Sequence, residues 1–154
     1  WSYGAHSVYA GAKGQRPFFV FAPVQTDKTA DAMREIEREL REVQTTRPPT
    51  AAEVERSKNI RTLSLPGKWE TADAIATSVE NIVRYGFDDD YWRLYPSTIR
   101  SLTDQDVADA ANFALDPDGV TWVVVGDRSQ VESKIRELGL GDITVIDADG
   151  NPAP

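Results

Sequence analysis

The chain has 154 residues, 40% of them hydrophobic, and a formal net charge of −8. That length suits one hydrophobic core of ordinary size, and no run approaches the roughly 18 apolar residues that a bilayer-crossing helix needs, so we expect no membrane span. Basic residues alternate with acidic ones and cysteine is absent, which argues against nucleic-acid binding and excludes disulfides, thiolate chemistry and sulfur-ligated zinc.

The first predicted elements are two strands. Residues 3–10 place alternate side chains on opposite faces, and residues 17–24 contain a continuous apolar run. Turn residues at 11–14 join the two segments, so we predict a hairpin. The apolar run is typical of a strand that is covered on both faces.

Two helices are predicted next. Thr26 or Asp27 caps the first, whose apolar residues recur at three- and four-residue spacing, namely Met33, Ile36, Leu40 and Val43. Thr50 and Glu53 form the capping-box pattern that starts the second helix. Proline and glycine at 66–67 are predicted to break the chain after it.

Three further helices are predicted between residues 70 and 119. The first ends at Gly86 and is predicted to face the core, because one side of it carries Ala72, Ile75, Ala76, Val79, Ile82 and Val83. The acidic cluster at 88–90 suits the amino terminus of the next helix, which Pro96 is predicted to kink or divide. Thr103 and Asp106 form a shortened capping box for the third.

The last part of the chain is predicted to be strand, helix and strand. Residues 120–125 are the strongest strand signal in the sequence, β-branched and almost unbroken, and are predicted to lie in the centre of a sheet. Ser129 and Glu132 resemble a capping box for a helix that ends at Gly139. Residues 143–146 predict a last short strand.

The order of these elements predicts an α+β fold, with helices packed on one face of a mostly antiparallel sheet. We expect residues 1–147 to form a single domain, the later part of a larger unit, and residues 148–154 to form a flexible tail. Because the chain begins at Trp1 rather than at a methionine, directly before a predicted strand, we expect the natural protein to extend upstream.

Candidate catalytic groups are few. His6 is the only histidine and is not predicted to be a zinc ligand, and no serine lies in the surroundings of a hydrolytic triad. Carboxylates at 35–39 alternate with arginines, which indicates solvated ion pairs, and the cluster at 88–90 lacks the spacing of a calcium loop. Aromatic surface for peptide or sugar contacts, although such residues are more often core, comes from Trp1, Tyr3, Tyr9, Trp69, Trp92 and Trp122.

A series of short segments runs through nearly the whole chain: WSYGA at 1–5, VQTDKTA at 24–30, PTAAE at 49–53, WETA at 69–72, YG at 85–86, DY at 90–91, YP at 95–96, LT at 102–103 and VVVGD at 123–127. In order and spacing they resemble the later part of a domain from the insulinase/pitrilysin family of zinc metallopeptidases. The single segments are not diagnostic, and the resemblance depends on their succession.

The resemblance implies a clamshell of repeated α+β units, in which one unit carries a zinc motif, His-x-x-Glu-His, and a related unit faces it. That motif is absent here. In the facing unit an arginine and, seven residues later, a tyrosine reach toward the substrate carbonyl. Tyr3 matches that tyrosine, and the arginine would lie upstream of Trp1. The implied function is a non-catalytic domain, inactive alone, that holds a peptide substrate for a zinc-dependent endopeptidase, with zinc in a partner domain or subunit.

Other interpretations stay open. The chain could be a catalytically degenerate structural or assembly subunit of the same fold, or the later part of the zinc-bearing domain itself, and Tyr3 could be an ordinary strand tyrosine. The residues just before Trp1, together with a zinc motif elsewhere, would separate them. Composition does not indicate a compartment, whereas the resemblance favours a periplasmic or otherwise exported bacterial protein.

Overall fold

The computed structural model describes residues 2–153, so Trp1 and Pro154, the outer ends of the predicted domain and tail, lie outside it. The described chain is a mixed α+β fold that is mostly helical, with a single two-stranded antiparallel sheet. The expectation of a larger sheet covered by helices is therefore wrong for these residues. The helices are α1 Thr29–Glu42, α2 Ala51–Leu63, α3 Leu65–Lys68, α4 Ala72–Tyr85, α5 Tyr91–Ser101, α6 Asp104–Ala114 and α7 Arg128–Arg136.

The sheet is the predicted hairpin. Strand β1 is His6–Tyr9 and strand β2 is Phe18–Phe21, with His6 opposite Phe21 and Tyr9 opposite Phe18. Cover on both faces of β2 was the wrong prediction, since Phe19 and Phe21 are 53% and 69% exposed. A second layer would have to lie on that face, and the described residues do not supply one.

Two helix starts match the predicted capping boxes, whereas α1 starts after Lys28 without a side-chain cap from Thr26 or Asp27. Thr50 and Glu53 form the predicted capping box of α2, and Thr103 and Asp106 form that of α6, because each pair satisfies backbone N–H groups that the first helical turn leaves without partners. At α7 the prediction was wrong by two residues. The carboxylate of Asp127, rather than the Ser129 hydroxyl, caps this helix by accepting the Ser129 N–H at 3.0 Å.

The two predicted proline breaks are milder than expected. Pro66 lies in the first turn of the short helix α3, where a missing N–H costs nothing because that group has no helical partner. Helix α5 continues through Pro96 without being divided. The hydroxyls of Ser97 and Thr98 donate to the Leu94 carbonyl at 2.7 and 3.1 Å, which adds local hydrogen bonds around the proline.

The core is small and lies between helices that are distant in sequence. Helix α1 packs against α7, and α2 packs against α5 and α6. The buried apolar side chains are Ala30, Ala32, Met33, Val54, Leu65 and Val131. Two buried hydroxyls are satisfied inside this core: Thr62 donates to the Lys58 carbonyl and Ser78 donates to the Ala74 carbonyl.

Helix α4 does not turn its apolar stripe to the core, contrary to the prediction. Ile75, Val79 and Val83 are 49%, 53% and 75% exposed, whereas Ser78 is buried. The reason is a pair of tryptophans that contact the other side of the helix. The Trp69 indole donates to the Ser78 hydroxyl at 2.9 Å and the Trp92 indole donates to the Ser78 carbonyl at 3.2 Å, so the side of the helix that carries Ser78 is the one that docks.

Residues 120–125 do not form a strand, although the sequence predicts one at the centre of a sheet. Val123 and Val125 are 78% and 96% exposed, and no hydrogen bond within residues 2–153 involves the backbone of residues 120–126. A strand requires a neighbour about 4.8 Å away to accept and donate backbone hydrogen bonds. The described chain offers no such neighbour, so the backbone of the segment is unpaired.

The carboxy-terminal segment is a turn rather than a regular strand. Ile146 pairs with Pro152 in an isolated bridge, and the Ala153 N–H donates to the Val145 carbonyl at 2.9 Å. The Asp147 carboxylate accepts the N–H groups of residues 149 and 151, and these bonds lower its pKa. These hydrogen bonds define the conformation of the segment, and its flexibility from residue 148 onward stays a prediction.

The described fold leaves much surface uncovered. Its accessible area is 11488 Å² for a mass of 17.1 kDa. A compact monomer of that mass exposes about 7,700 Å² by the usual scaling of surface with mass. The excess of roughly 3,700 Å² over that scaling includes the apolar stripe of α4 and the unpaired segment 120–125.

Candidate functional site

Tyr3 is presented outward from an anchored backbone. Its side chain is 99% exposed, just before β1. The preceding residue is fixed to the far end of the hairpin, since Ser2 pairs with Val24 and its hydroxyl donates to the Pro23 carbonyl at 3.0 Å. The Gly4 N–H donates back to the Ser2 hydroxyl, with Gly4 at a φ of +117° that glycine adopts readily. The phenol is therefore free to reach a group on another molecule.

The Tyr3 side chain is almost fully exposed. It lines neither the cavity along α2 nor the cavity between the hairpin turn and α4–α5. A substrate held by this phenol would need a second surface opposite the hairpin. The predicted role of Tyr3 depends on that second surface and stays a prediction.

The described residues do not fit a zinc ion. His6 lies exposed on β1 opposite Phe21, and within residues 2–153 no group of three or more His, Asp or Glu side chains could hold a metal. Asp90 in the acidic cluster is at the N-cap position of α5, and its carboxylate accepts a hydrogen bond from Arg93 at 2.6 Å. That contact is an ion pair within the first turn, and the Asp90 side chain makes no capping hydrogen bond to the helix backbone.

The carboxylates of α1 lie in an exposed ion-pair network. Arg47 donates to Glu39 and Glu42, both at 2.9 Å, and the hydrogen bond from Arg47 lowers the pKa of Glu39. Arg41 donates to Glu37 on the same helix and to Asp118 in the turn after α6. Because the lowered pKa of Glu39 disfavours proton uptake at neutral pH, this carboxylate suits helix support better than general-base chemistry.

A second candidate site, which we call the aromatic cavity, lies where the hairpin turn meets α4 and α5. Its volume is about 220 Å³, and it is lined by Gly11, Arg16, Asn81, Tyr85, Phe87, Tyr91 and Trp92. The rings support one another. Phe87 stacks on Tyr91 with centroids 4.2 Å apart, and Trp92 meets Tyr91 edge-on at 5.0 Å.

Two glycines shape the aromatic cavity. Gly86 ends α4 at a φ of +67°, a left-handed turn that brings Phe87 back toward Tyr85, with ring centroids 5.6 Å apart. Gly11 approaches from the hairpin turn, and a Cβ atom there would lie 2.6 Å from the Tyr85 hydroxyl oxygen. A side chain at position 11 would therefore require the Tyr85 hydroxyl to move.

The polar groups of the aromatic cavity are one cation, one amide and two phenols. The Arg16 guanidinium lies 5.8 Å from the Tyr85 ring centroid and forms no ion pair with a described residue. The Asn81 side chain has no hydrogen-bond partner among residues 2–153. Burial raises the pKa of Tyr91, so its hydroxyl stays protonated at neutral pH.

The aromatic cavity was not predicted from the sequence. Trp92 was expected to add aromatic surface, but nothing connected it with Tyr85, Phe87 and Tyr91. A usable signal was present, since four aromatic residues lie within eight positions on both sides of Gly86. Arg16 and Gly11 could not be added to the group without knowing where the hairpin packs.

Comparisons with known proteins leave the family open. No protein-family model, no curated protein and no solved structure matches the chain. None of the described helices combines the length and the apolar character that crossing a bilayer requires.

Proposed function

We propose that this chain is a non-catalytic, substrate-holding domain of a zinc-dependent endopeptidase that hydrolyses peptides, with zinc supplied by another domain or subunit. The observation that supports this proposal best is Tyr3, whose phenol is 99% exposed on a backbone anchored by Ser2 and Gly4. A group that must meet a substrate held partly by another surface needs that exposure. The family resemblance of the sequence supplies the reaction class.

The chemistry proposed for Tyr3 is hydrogen-bond donation. When a peptide bond is attacked, negative charge develops on the carbonyl oxygen, and the Tyr3 hydroxyl would donate to that oxygen while keeping its own proton. Removing one such donor costs about 10²–10³ in turnover in enzymes where it has been tested. The zinc ion, when bound in the partner, would polarise the carbonyl and the attacking water.

The uncovered surfaces support the proposed partner. Segment 120–125 carries unpaired backbone groups, and α4 exposes the stripe of Ile75, Val79 and Val83. Unpaired backbone groups and an apolar patch are typical of surfaces that another polypeptide covers. A standard interface buries about 800 Å² on each partner, well within the roughly 3,700 Å² by which this chain exceeds a compact monomer.

A structural or assembly subunit that has lost catalysis is the second candidate. The same uncovered surfaces favour it, and it gives Tyr3 no role. The two proposals differ in one measurable property, because only the substrate-holding domain should lose turnover when the Tyr3 hydroxyl is removed.

The decisive experiment uses the complete protein, or this chain combined with its zinc-bearing partner, and a fluorogenic peptide at saturating zinc. We expect Tyr3→Phe to lower kcat by about 10²–10³ with little change in KM, since the lost hydrogen bond acts on the transition state. Tyr9→Phe is the matched control. It removes a hydroxyl from the same hairpin, one that donates to the Ala114 carbonyl at 3.0 Å, and it should leave kcat unchanged.

Equal turnover for Tyr3→Phe and the unmodified protein would remove the role of Tyr3 and favour the structural subunit. Equal losses in both tyrosine variants would point to the hairpin conformation rather than to a hydrogen bond at the reaction centre.

A further inference from the structure

We infer that the aromatic cavity binds the carboxy-terminal residue of a peptide, with an apolar side chain against the rings of Phe87 and Tyr91 and the terminal carboxylate facing Arg16. This inference goes beyond the proposed function, since it needs neither zinc nor Tyr3. It is carried by the size of the cavity, by its single charge and by its free hydrogen-bonding groups.

The aromatic cavity is small and open on one side. Its volume of about 220 Å³ lies below the roughly 300–1,000 Å³ that pockets for drug-sized ligands occupy. It therefore suits one amino-acid residue rather than a cofactor or an extended segment. Its walls are aromatic, so the residue that fits best has a flat or branched apolar side chain.

The charge of the aromatic cavity selects an anion. Arg16 is the only charged residue in its lining, and no carboxylate of residues 2–153 pairs with it. Aromatic rings can also bind an ammonium group, but the Arg16 guanidinium already lies near the face of Tyr85 and would repel a second cation. A planar guanidinium matches a carboxylate in geometry as well as in charge.

The remaining polar groups fit the end of a peptide chain. The unpartnered Asn81 amide can accept the N–H of the last peptide bond through its carbonyl oxygen. The Tyr91 hydroxyl, kept protonated by burial, can donate to the same carboxylate as Arg16. Phe87 and Tyr91 are already stacked, so binding would cost little ordering of side chains.

The test uses the full 154-residue chain and two tripeptides, N-acetyl-Ala-Ala-Phe with a free carboxylate and the same peptide ending in an amide. Binding is followed by calorimetry. We expect the acid to bind about tenfold more tightly than the amide, which corresponds to about 1.4 kcal/mol for a charge-assisted contact. Arg16→Gln should abolish that preference, whereas Arg100→Gln, an exposed arginine of α5 outside the cavity, should preserve it.

Three results would overturn the inference. They are equal binding of acid and amide, absence of binding at millimolar peptide, and a preference for the acid that survives Arg16→Gln. Binding of tetramethylammonium that competes with the peptide would also overturn it, in favour of a cation cage. Because the peptidase proposal fails only on the turnover of Tyr3→Phe, the two failures can be told apart.

Discussion

Two valine-to-alanine substitutions test whether segment 120–125 is uncovered. Val125 is 96% exposed in that segment, and Val131 is only 7% exposed on α7, where it packs into the core. Replacing each by alanine removes the same atoms from opposite environments. The pair therefore separates burial from residue type.

The expected magnitudes follow from the exposures. Each buried methyl group contributes about 0.8 kcal/mol, so the two methyl groups removed by Val131→Ala account for about 1.6 kcal/mol. The cavity that they leave adds to this loss. About 0.5 kcal/mol is regained, because alanine favours a helix more than valine does. The net loss should be about 1.5–2 kcal/mol in the free energy of unfolding. At Val125 almost nothing is buried, and the change should stay below about 0.5 kcal/mol.

The assay is urea unfolding of the 154-residue chain followed by circular dichroism at equal protein concentration. A loss at Val125→Ala as large as that at Val131→Ala would refute the reasoning, because it would mean that the segment is buried in a sheet, as the sequence alone suggested. If a partner covers the segment, Val125→Ala should weaken association with that partner while leaving the free chain as stable as before.

Two further predictions concern helix ends. Thr50→Ala should lower the free energy of unfolding in urea by about 1 kcal/mol, because it removes the hydroxyl that accepts the Glu53 N–H. The control Thr46→Ala, in the preceding turn, should change this free energy little. Equal effects of the two substitutions would contradict the capping box. Hydrogen bonds from Thr50, Thr103 and Ser129 lower the pKa values of Glu53, Asp106 and Asp127. The ionised carboxylates therefore stabilise the folded chain. This stability is fully present above their ordinary pKa values of about 4 and is lost as the pH falls through the lowered pKa values. The triple variant Glu53→Gln, Asp106→Asn, Asp127→Asn should therefore lose less stability than the unmodified chain between pH 5 and pH 2, and an unchanged pH dependence would contradict this assignment.

The two candidate sites differ in how much of each the sequence alone could identify. Tyr3 could be named from the sequence alone, because a family resemblance attaches a role to a position in a sequence. Its exposure and the anchoring of Ser2 and Gly4 became known only from the hairpin. Gly11 and Arg16 belong to one side of the aromatic cavity and Tyr91 to the other, about 75 residues later in the chain, and no local pattern joins them.

The sequence by itself determined the helix ends that local capping fixes. The capping boxes at Thr50 and Thr103 and the left-handed Gly86 act within one helical turn, so their hydrogen bonds and backbone angles depend on neighbours three or four residues away. Only the tertiary structure decided which faces are covered. The apolar stripe of α4 and segment 120–125 are both predicted to be core from their patterns, yet burial and strand pairing need a second surface from a distant part of a polypeptide. Within residues 2–153 such a surface leaves Val83 and Val125 75% and 96% exposed and gives segment 120–125 no backbone partner.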